Sequence, residues 1–343
     1  MGRDYEERTA VYSPSRDGVT LEGTLSVPGA GPRPAAVLVT GSGAVDRDSS
    51  YFGHRPFFVL AEALARRGIV VLRSDPRGRG RSTGSAEAST LRDRAGDTLA
   101  AIEFLRGCAE VDPQRIGLIG HSEGALVAGL AAAQRRDVAF LVLLAGTGLP
   151  VAQTFLAQGR QLLTGAGASE EFISRFAEKE RRLFDLVAAE PDDAAAEKQI
   201  QEIETQWEQT LTEKQKQWLS AMFLPSVKMR VSRWLRDLTA FDPRPVLSRV
   251  HCPVLAMVGD LDRMVPPDAA LEAIGQALAA GGNCQYQLRK LPGITHWLRA
   301  GRTGMKDELP EPGETVARTV LESVGDWVES CTGWRRDRGA GRC

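Results

Sequence analysis

Short apolar runs alternate with amphipathic stretches through the first half of the chain, and this alternation restricts the fold more than any other feature. AAVLVT (35–40) is too apolar for a strand with one wet face, so it is expected to be buried on both faces of a sheet, and IVVLRSD (69–75), RIGLIG (115–120) and VAFLVLLAG (138–146) read as further strands. Between them, RPFFVLAEALARRG (55–68), LRDRAGDTLAAIEFLRG (91–107) and EGALVAGLAAAQ (123–134) have helical spacing, and the first closes at Gly68, a residue suited to a helix C-terminus. Strand, helix, strand, helix in this order builds a parallel sheet covered on both sides, an α/β architecture. Residues 9–13 and 19–27, joined at Arg16-Asp17-Gly18, read as an antiparallel pair ahead of it.

The rhythm stops after Pro150. From 150 to 245 no strand pattern occurs, while Phe172, Phe176, Leu183 and Val187, and then Ile200, Ile203, Trp207 and Leu211, fall near helical spacing among Glu, Lys, Arg and Gln. The sheet pattern resumes with CPVLAMVG (252–259), a helix over 267–280, YQLRKLPG (286–293) and a closing helix over 314–331. The expected organisation is one α/β domain assembled from 1–149 and 246–332, a helical lid or cap insertion over 150–245, and a disordered polar tail over 333–343. Phe172, Phe176, Trp207, Trp218, Phe223 and Trp234 are candidate pocket walls in the insertion, although plain core packing explains each of them as well.

Composition excludes several functions. The net charge is −1, so there is no basic excess to attract nucleic acid or an anionic membrane. No stretch approaches the length of a membrane span, and MGRDYEERTAVYS lacks the apolar run of a signal peptide. Glu6 stands where a myristoylation signal needs Ser or Thr. A cytoplasmic location is expected. Cys108, Cys252, Cys284, Cys331 and Cys343 are scattered without a C-x-x-C pair, and the four histidines lack ligand spacing. No metal, no cofactor and no disulfide framework are therefore expected, and the chain is read as a monomer or a homodimer.

Gly120-His121-Ser122-Glu123-Gly124 matches G-x-S-x-G, the pattern of a serine projecting from a tight turn between a strand and a helix. Gly80-Arg81-Ser82-Thr83-Gly84 matches too, but it lies in loop sequence, whereas Ser122 directly follows RIGLIG and opens an Ala-rich helix. Ser122 is the expected nucleophile. Its hydroxyl needs a base. His121 adjoins it and points the wrong way, His54 precedes a helix, and His251 precedes a strand. His296 follows the last strand, in a loop expected at the carboxyl edge of the sheet, where open α/β sheets place their sites. A carboxylate must hold the base, and Gly259-Asp260-Leu261-Asp262 follows another core strand. Asp262 is the choice, with Asp260 left to turn hydrogen bonds. The backbone N–H of Glu123, at a helix start, is placed to bind an oxyanion.

With Ser122, Asp262 and His296 in that order, the chain resembles the α/β-hydrolase superfamily over nearly all of residues 9–330 apart from the insertion. Three stretches are similar to a bacterial carboxylesterase subgroup: Gly41-Ser42-Gly43-Ala44-Val45-Asp46-Arg47-Asp48, Arg73-Ser74-Asp75-Pro76-Arg77-Gly78-Arg79-Gly80-Arg81-Ser82, and the Gly120–Gly124 elbow. The resemblance implies hydrolysis of short- to medium-chain acyl esters, with small-molecule ester substrates and no cofactor. It also implies that the second oxyanion donor is the backbone N–H of Ser42, with Thr40 standing where many relatives have histidine. Gly41, Gly43, His121 and Trp297 are expected to touch substrate. Asp46, Arg47 and Asp48 are expected to form a salt-bridged scaffold, and Arg77, Arg79 and Arg81 a solvated loop. A thioesterase or a peptidase or amidase on the same fold uses the same three residues, and a non-catalytic binding protein that kept the fold is the rival of another class.

Overall fold

The computed structural model describes residues 4–14, 18–43, 46–51, 53–220, 222, 224–305, 308 and 316–334. Most of the expected tail, the Arg16-Asp17 turn and Phe223 lie outside the described residues. Eight strands form one sheet: β1 (Glu6–Tyr12), β2 (Leu21–Val27), β3 (Arg33–Val39), β4 (Val70–Ser74), β5 (Val111–His121), β6 (Leu141–Leu144), β7 (Val254–Leu261) and β8 (Tyr286–Thr295). The helices are α1 (Pro56–Arg66), α2 (Leu91–Arg106), α3 (Glu123–Ala132), α4 (Val151–Gly165), α5 (Glu170–Ala189), α6 (Asp193–Gln209), α7 (Glu213–Ser220), α8 (Val227–Val231), α9 (Arg233–Thr239), α10 (Arg244–Leu247), α11 (Pro267–Ala280) and α12 (Arg318–Thr332).

The strand order is β1-β2-β4-β3-β5-β6-β7-β8. β1 with β2 and β2 with β4 are antiparallel, and every pair from β4 to β8 is parallel. Alternate side chains of the central strands enter two separate cores, as the pleat requires. Val37, Leu118, Leu143 and Ala256 face α2, α3, α10 and α11. Leu38, Ile119, Val142 and Met257 face α1 and α12. Burial on both faces explains the unbroken apolar runs. RIGLIG extends back to Val111, which pairs with Arg33 across a register shift, and the 138–146 strand contracts to Leu141–Leu144.

From β3 the chain moves to β4 on one side and then crosses back to β5 on the other. Right-handed crossovers in opposite directions put α1 and α2 on opposite faces. The loops after β3 and β5 lead to α1 and α3, which also lie on opposite faces, so the switch point at the carboxyl edge, the crevice that is the usual ligand site of an open α/β sheet, falls at these two strands. The connection from β6 to β7 runs through α4 to α10 and, among the described residues, carries no strand. Leu183, Val187, Ala196 and Ile200 form one small core in that segment, and Leu163, Phe172, Ile173 and Phe176 another. Among the described residues, no helix is long and apolar enough to cross a membrane.

Candidate active site

β5 ends at His121 and α3 begins at Glu123, so Ser122 makes the whole turn. Its backbone has φ 55° and ψ −122°, a conformation L-residues rarely adopt. The flanking glycines allow it. A Cβ on Gly120 would lie 2.1 Å from the carbonyl oxygen of Gly124, and one on Gly124 would lie 2.1 Å from that of Val39. The Ser122 N–H donates to Leu144 O (2.9 Å), and Ala125 N–H donates back to Ser122 O (2.9 Å). Strain of this kind persists only where the surroundings over-determine it, and it aims the hydroxyl into the crevice.

The loops after β7 and β8 bring the other two groups to the same edge. His296 Nε2 lies 3.1 Å from Ser122 Oγ, and His296 Nδ1 lies 2.8 Å from Asp262 Oδ2. Asp262 is fully buried, and its second oxygen accepts the backbone N–H groups of Met264 and Val265, both at 2.8 Å. The carboxylate thus accepts three hydrogen bonds and turns one oxygen squarely to the imidazole. With Nδ1–H donating to it, Nε2 is free to accept the hydroxyl proton, the arrangement a general base needs. Asp260, expected in a turn, lies near the end of β7, where it accepts the Gly293 N–H of β8 at 2.7 Å across a register shift between the two parallel strands.

His121 and Trp297, expected to touch substrate, take other places. Neither lines the cavity. The His121 ring packs behind His296 (ring centroids 5.1 Å apart), and its Nε2–H donates to the His296 carbonyl at 2.8 Å. Burial, and next the neighbouring His296 ring, lower its pKa to about 4, so it is neutral at physiological pH. The Trp297 ring meets His296 edge-on at 5.9 Å and Tyr51 at 6.0 Å, and the Trp297 carbonyl accepts the Tyr51 hydroxyl. His54 stays beside Tyr51 and His251 is exposed.

The loop after β3 presses against the Ser122 turn. A Cβ on Gly41 would lie 3.1 Å from the His121 carbonyl oxygen and 3.2 Å from Ser122 Cβ, closer than ordinary van der Waals contact, and Gly43 turns at φ +102°. Gly41, Ser42, Gly43, Ser122, Glu123 and His296 all line the cavity. Arg94 of α2 was invisible to sequence reasoning. Its Nη1 pairs with the Glu123 carboxylate, and its Nη2 donates to Thr40 O at 2.9 Å and, more distantly, to Gly41 O at 3.4 Å. Trp234 of α9 completes the cluster, its Nε1–H donating to Glu123 Oε2 at 3.1 Å.

The second G-x-S-x-G serine is structural. Ser82 is buried, donates to Asp75 O at 2.7 Å and accepts the Glu22 N–H at 3.0 Å. Arg47 is paired with Asp75 and Glu22, and Asp48 with Arg55 and Arg73, forming a charged scaffold beneath the loop. The solvated reading of the three loop arginines is corrected for Arg77. It is buried and chelates Asp97 through Nε (2.7 Å) and Nη2 (2.6 Å), because α2 runs beneath the loop.

The cavity encloses about 900 Å³ between the sheet edge and the α4–α9 segment. Its walls are largely apolar, with Phe155, Phe176, Phe184, Met229, Trp234 and Leu235 lining the same cavity as Ser122. Of the aromatic candidates, Phe176 and Trp234 line it, whereas Phe172, Trp207 and Trp218 pack together as core of the insertion. Glu180 and Arg230 reach the wall as a buried bidentate pair (both contacts 3.0 Å). Burial raises the Glu180 pKa, but Arg230 and Lys179 outweigh it and hold the carboxyl below its ordinary value.

The chain matches the profile of the Alpha/beta hydrolase family over residues 36–301. It belongs to that family, and its sheet and helices form the α/β-hydrolase fold. It is 33% identical over 108 residues to Esterase EstD of Thermotoga maritima, a stretch covering 31% of this chain and 26% of that protein. The chain spans only 26% to 42% of the length of the curated relatives it matches. In structure it is similar to the alpha/beta hydrolase GrgF of Penicillium sp. (TM-score 0.61, 16% identity, 96% of this chain and 100% of that one). It is also similar to an esterase of Pyrococcus furiosus (TM-score 0.57, 15% identity, 96% and 92%).

Proposed function

We propose that the chain is a serine carboxylesterase acting on short- to medium-chain acyl esters. Ser122 is the nucleophile, His296 the general base and acid, and Asp262 the carboxylate that fixes the imidazole tautomer and stabilises its protonated form. The continuous Ser122–His296–Asp262 contact, at 3.1 and 2.8 Å, carries this reading. His296 takes the hydroxyl proton as Ser122 attacks the ester carbonyl. The backbone N–H groups of Ser42 and Glu123 bind the developing oxyanion, the second reinforced by the α3 N-terminus. His296 returns the proton to the leaving alkoxide, and water, activated by the same base, releases the acyl group from Ser122.

The helical segment over 150–245 is the lid of this site, joined to the α/β domain formed by 1–149 and 246–332. Support comes from its place in the β6–β7 connection and from the apolar walls it contributes above Ser122. Those walls suit a hydrocarbon acyl group. The test is hydrolysis of p-nitrophenyl butyrate by wild type and Ser122→Ala, with a thioester and an aminoacyl amide assayed alongside. Turnover lost in the variant, with the ester the best substrate, is the expected result. Full turnover in Ser122→Ala contradicts it.

A further inference from the structure

We propose that Arg94 and Glu123 are a buried positioning pair that sets both oxyanion donors at once. The inference rests on the assignment of those donors to Ser42 and Glu123 above.

Glu123 directly follows the serine, and a carboxylate there would ordinarily reach for water. Instead its side chain is only 2% exposed and that of Arg94 only 11%. Buried charges persist where they are paired and fully hydrogen-bonded. Glu123 meets that condition with Arg94 on one oxygen and the Trp234 indole N–H at 3.1 Å on the other. The guanidinium then extends its second arm away from Glu123 to the loop after β3, reaching Thr40 O at 2.9 Å and Gly41 O at 3.4 Å.

The peptide plane gives these contacts their significance. The Gly41 carbonyl and the Ser42 N–H belong to one trans peptide unit and point in opposite directions. Holding the Gly41 oxygen towards α2 therefore aims the Ser42 N–H away from it. The other arm holds Glu123, whose own backbone N–H is the second donor and, at the first position of α3, has no partner within the helix. One planar fork thus fixes the relative placement of two amides on different loops. Lysine cannot span both acceptors, since an ammonium lacks that fixed fork. Arg94 is itself held: the N-terminus of α2 is anchored by Leu91 N–H donating to Asp237 of α9 at 2.7 Å.

The test compares wild type, Arg94→Lys, Glu123→Gln and Ser122→Ala with p-nitrophenyl butyrate. Active sites are counted by fluorophosphonate labelling, and affinity for a trifluoromethyl ketone is measured in parallel. Misplacing one or both donors is expected to lower kcat per labelled site by about 10²-fold in Arg94→Lys, with KM held within about threefold. The trifluoromethyl ketone, whose adduct carries the oxyanion, should weaken in proportion. A purely structural role would lower the melting temperature and the labelled fraction but leave kcat per site and ketone affinity at wild-type values. That result overturns the proposal. Should Arg94→Lys not fold, the nearly isosteric Glu123→Gln decides: reduced kcat per site supports the pair, and wild-type kcat overturns it. Inactive Ser122→Ala beside unimpaired pair variants refutes this inference alone, whereas active Ser122→Ala refutes the esterase reading beneath it.

Discussion

The Nε2–H of His121 donates to the backbone carbonyl of His296 at 2.8 Å, so the residue before Ser122 grips the main chain of the histidine facing that serine. β5 and the loop after β8 are thereby tied together at the carboxyl edge. The tie forms with the ring neutral or protonated, since Nε2–H donates in both states, and burial keeps the ring neutral by lowering its pKa to about 4 against an ordinary 6.5.

That shift predicts a pH-dependent stability with a definite sign. Between pH 6.5 and about 4 the unfolded chain binds a proton at His121 and the folded chain does not, so stability is lost as pH falls through this window. The full contribution is about 3 kcal/mol. Urea unfolding from pH 7.5 to 4.5 should show a steeper acid decline in wild type than in His121→Gln, which donates to the same carbonyl without titrating. Parallel declines would remove His121 from the account.

Asp262 accepts from His296 and from two backbone N–H groups, so its replacement disturbs the imidazole without opening space. Asp262→Asn should reduce kcat about 10³- to 10⁴-fold, as loss of the carboxylate does in comparable triads, with little change in KM. Steady-state ester hydrolysis checks it, and a loss below tenfold would argue against Asp262 as the partner of His296.

Gly124 illustrates how little freedom the turn has. An added Cβ would meet the Val39 carbonyl oxygen at 2.1 Å, and neither backbone can move without displacing β3 or α3. Gly124→Ala is expected to cost on the order of 3 kcal/mol in stability or to prevent folding, measured by thermal and urea unfolding. By contrast Gly96, on α2, has open space where a Cβ would stand, and Gly96→Ala should be neutral or stabilising.

Phe155 lines the cavity from α4 and packs on Phe184 at a ring separation of 6.3 Å. Trimming it deepens the apolar space above Ser122. Phe155→Ala should shift kcat/KM towards longer acyl chains by about tenfold relative to short ones across a p-nitrophenyl ester series. An unchanged profile would place the acyl group elsewhere.

The sheet was legible because burial on both faces leaves an apolar run with few readings, as at Val37–Val39 and Leu118–Ile119. Ser122, Asp262 and His296 were legible because each directly follows a strand, β5, β7 and β8 in turn, and parallel strands deliver those positions to one edge. Arg94 was not. It sits in an ordinary amphipathic helix, and its partners are a carboxylate 29 residues away and carbonyls 53 and 54 residues away, a proximity created only by the crossover of α2. The cavity walls were only partly readable for the same reason. Phe172 and Phe176 share one helical stripe, yet Phe176 lines the cavity while Phe172 packs on Trp207 and Trp218. Helical spacing gives the buried face but not which neighbour covers it. Arg77 was misjudged because its charge reads as solvated in sequence, and only the path of Asp97 beneath the loop shows otherwise.

The most direct measurement of the central claim is to find where the acyl group goes. Wild-type protein mixed rapidly with p-nitrophenyl acetate, acid-quenched and digested, should show a burst of about one equivalent of p-nitrophenol and a peptide acetylated at Ser122. An adduct at another residue, or steady turnover in Ser122→Ala with no covalent species, would contradict the account.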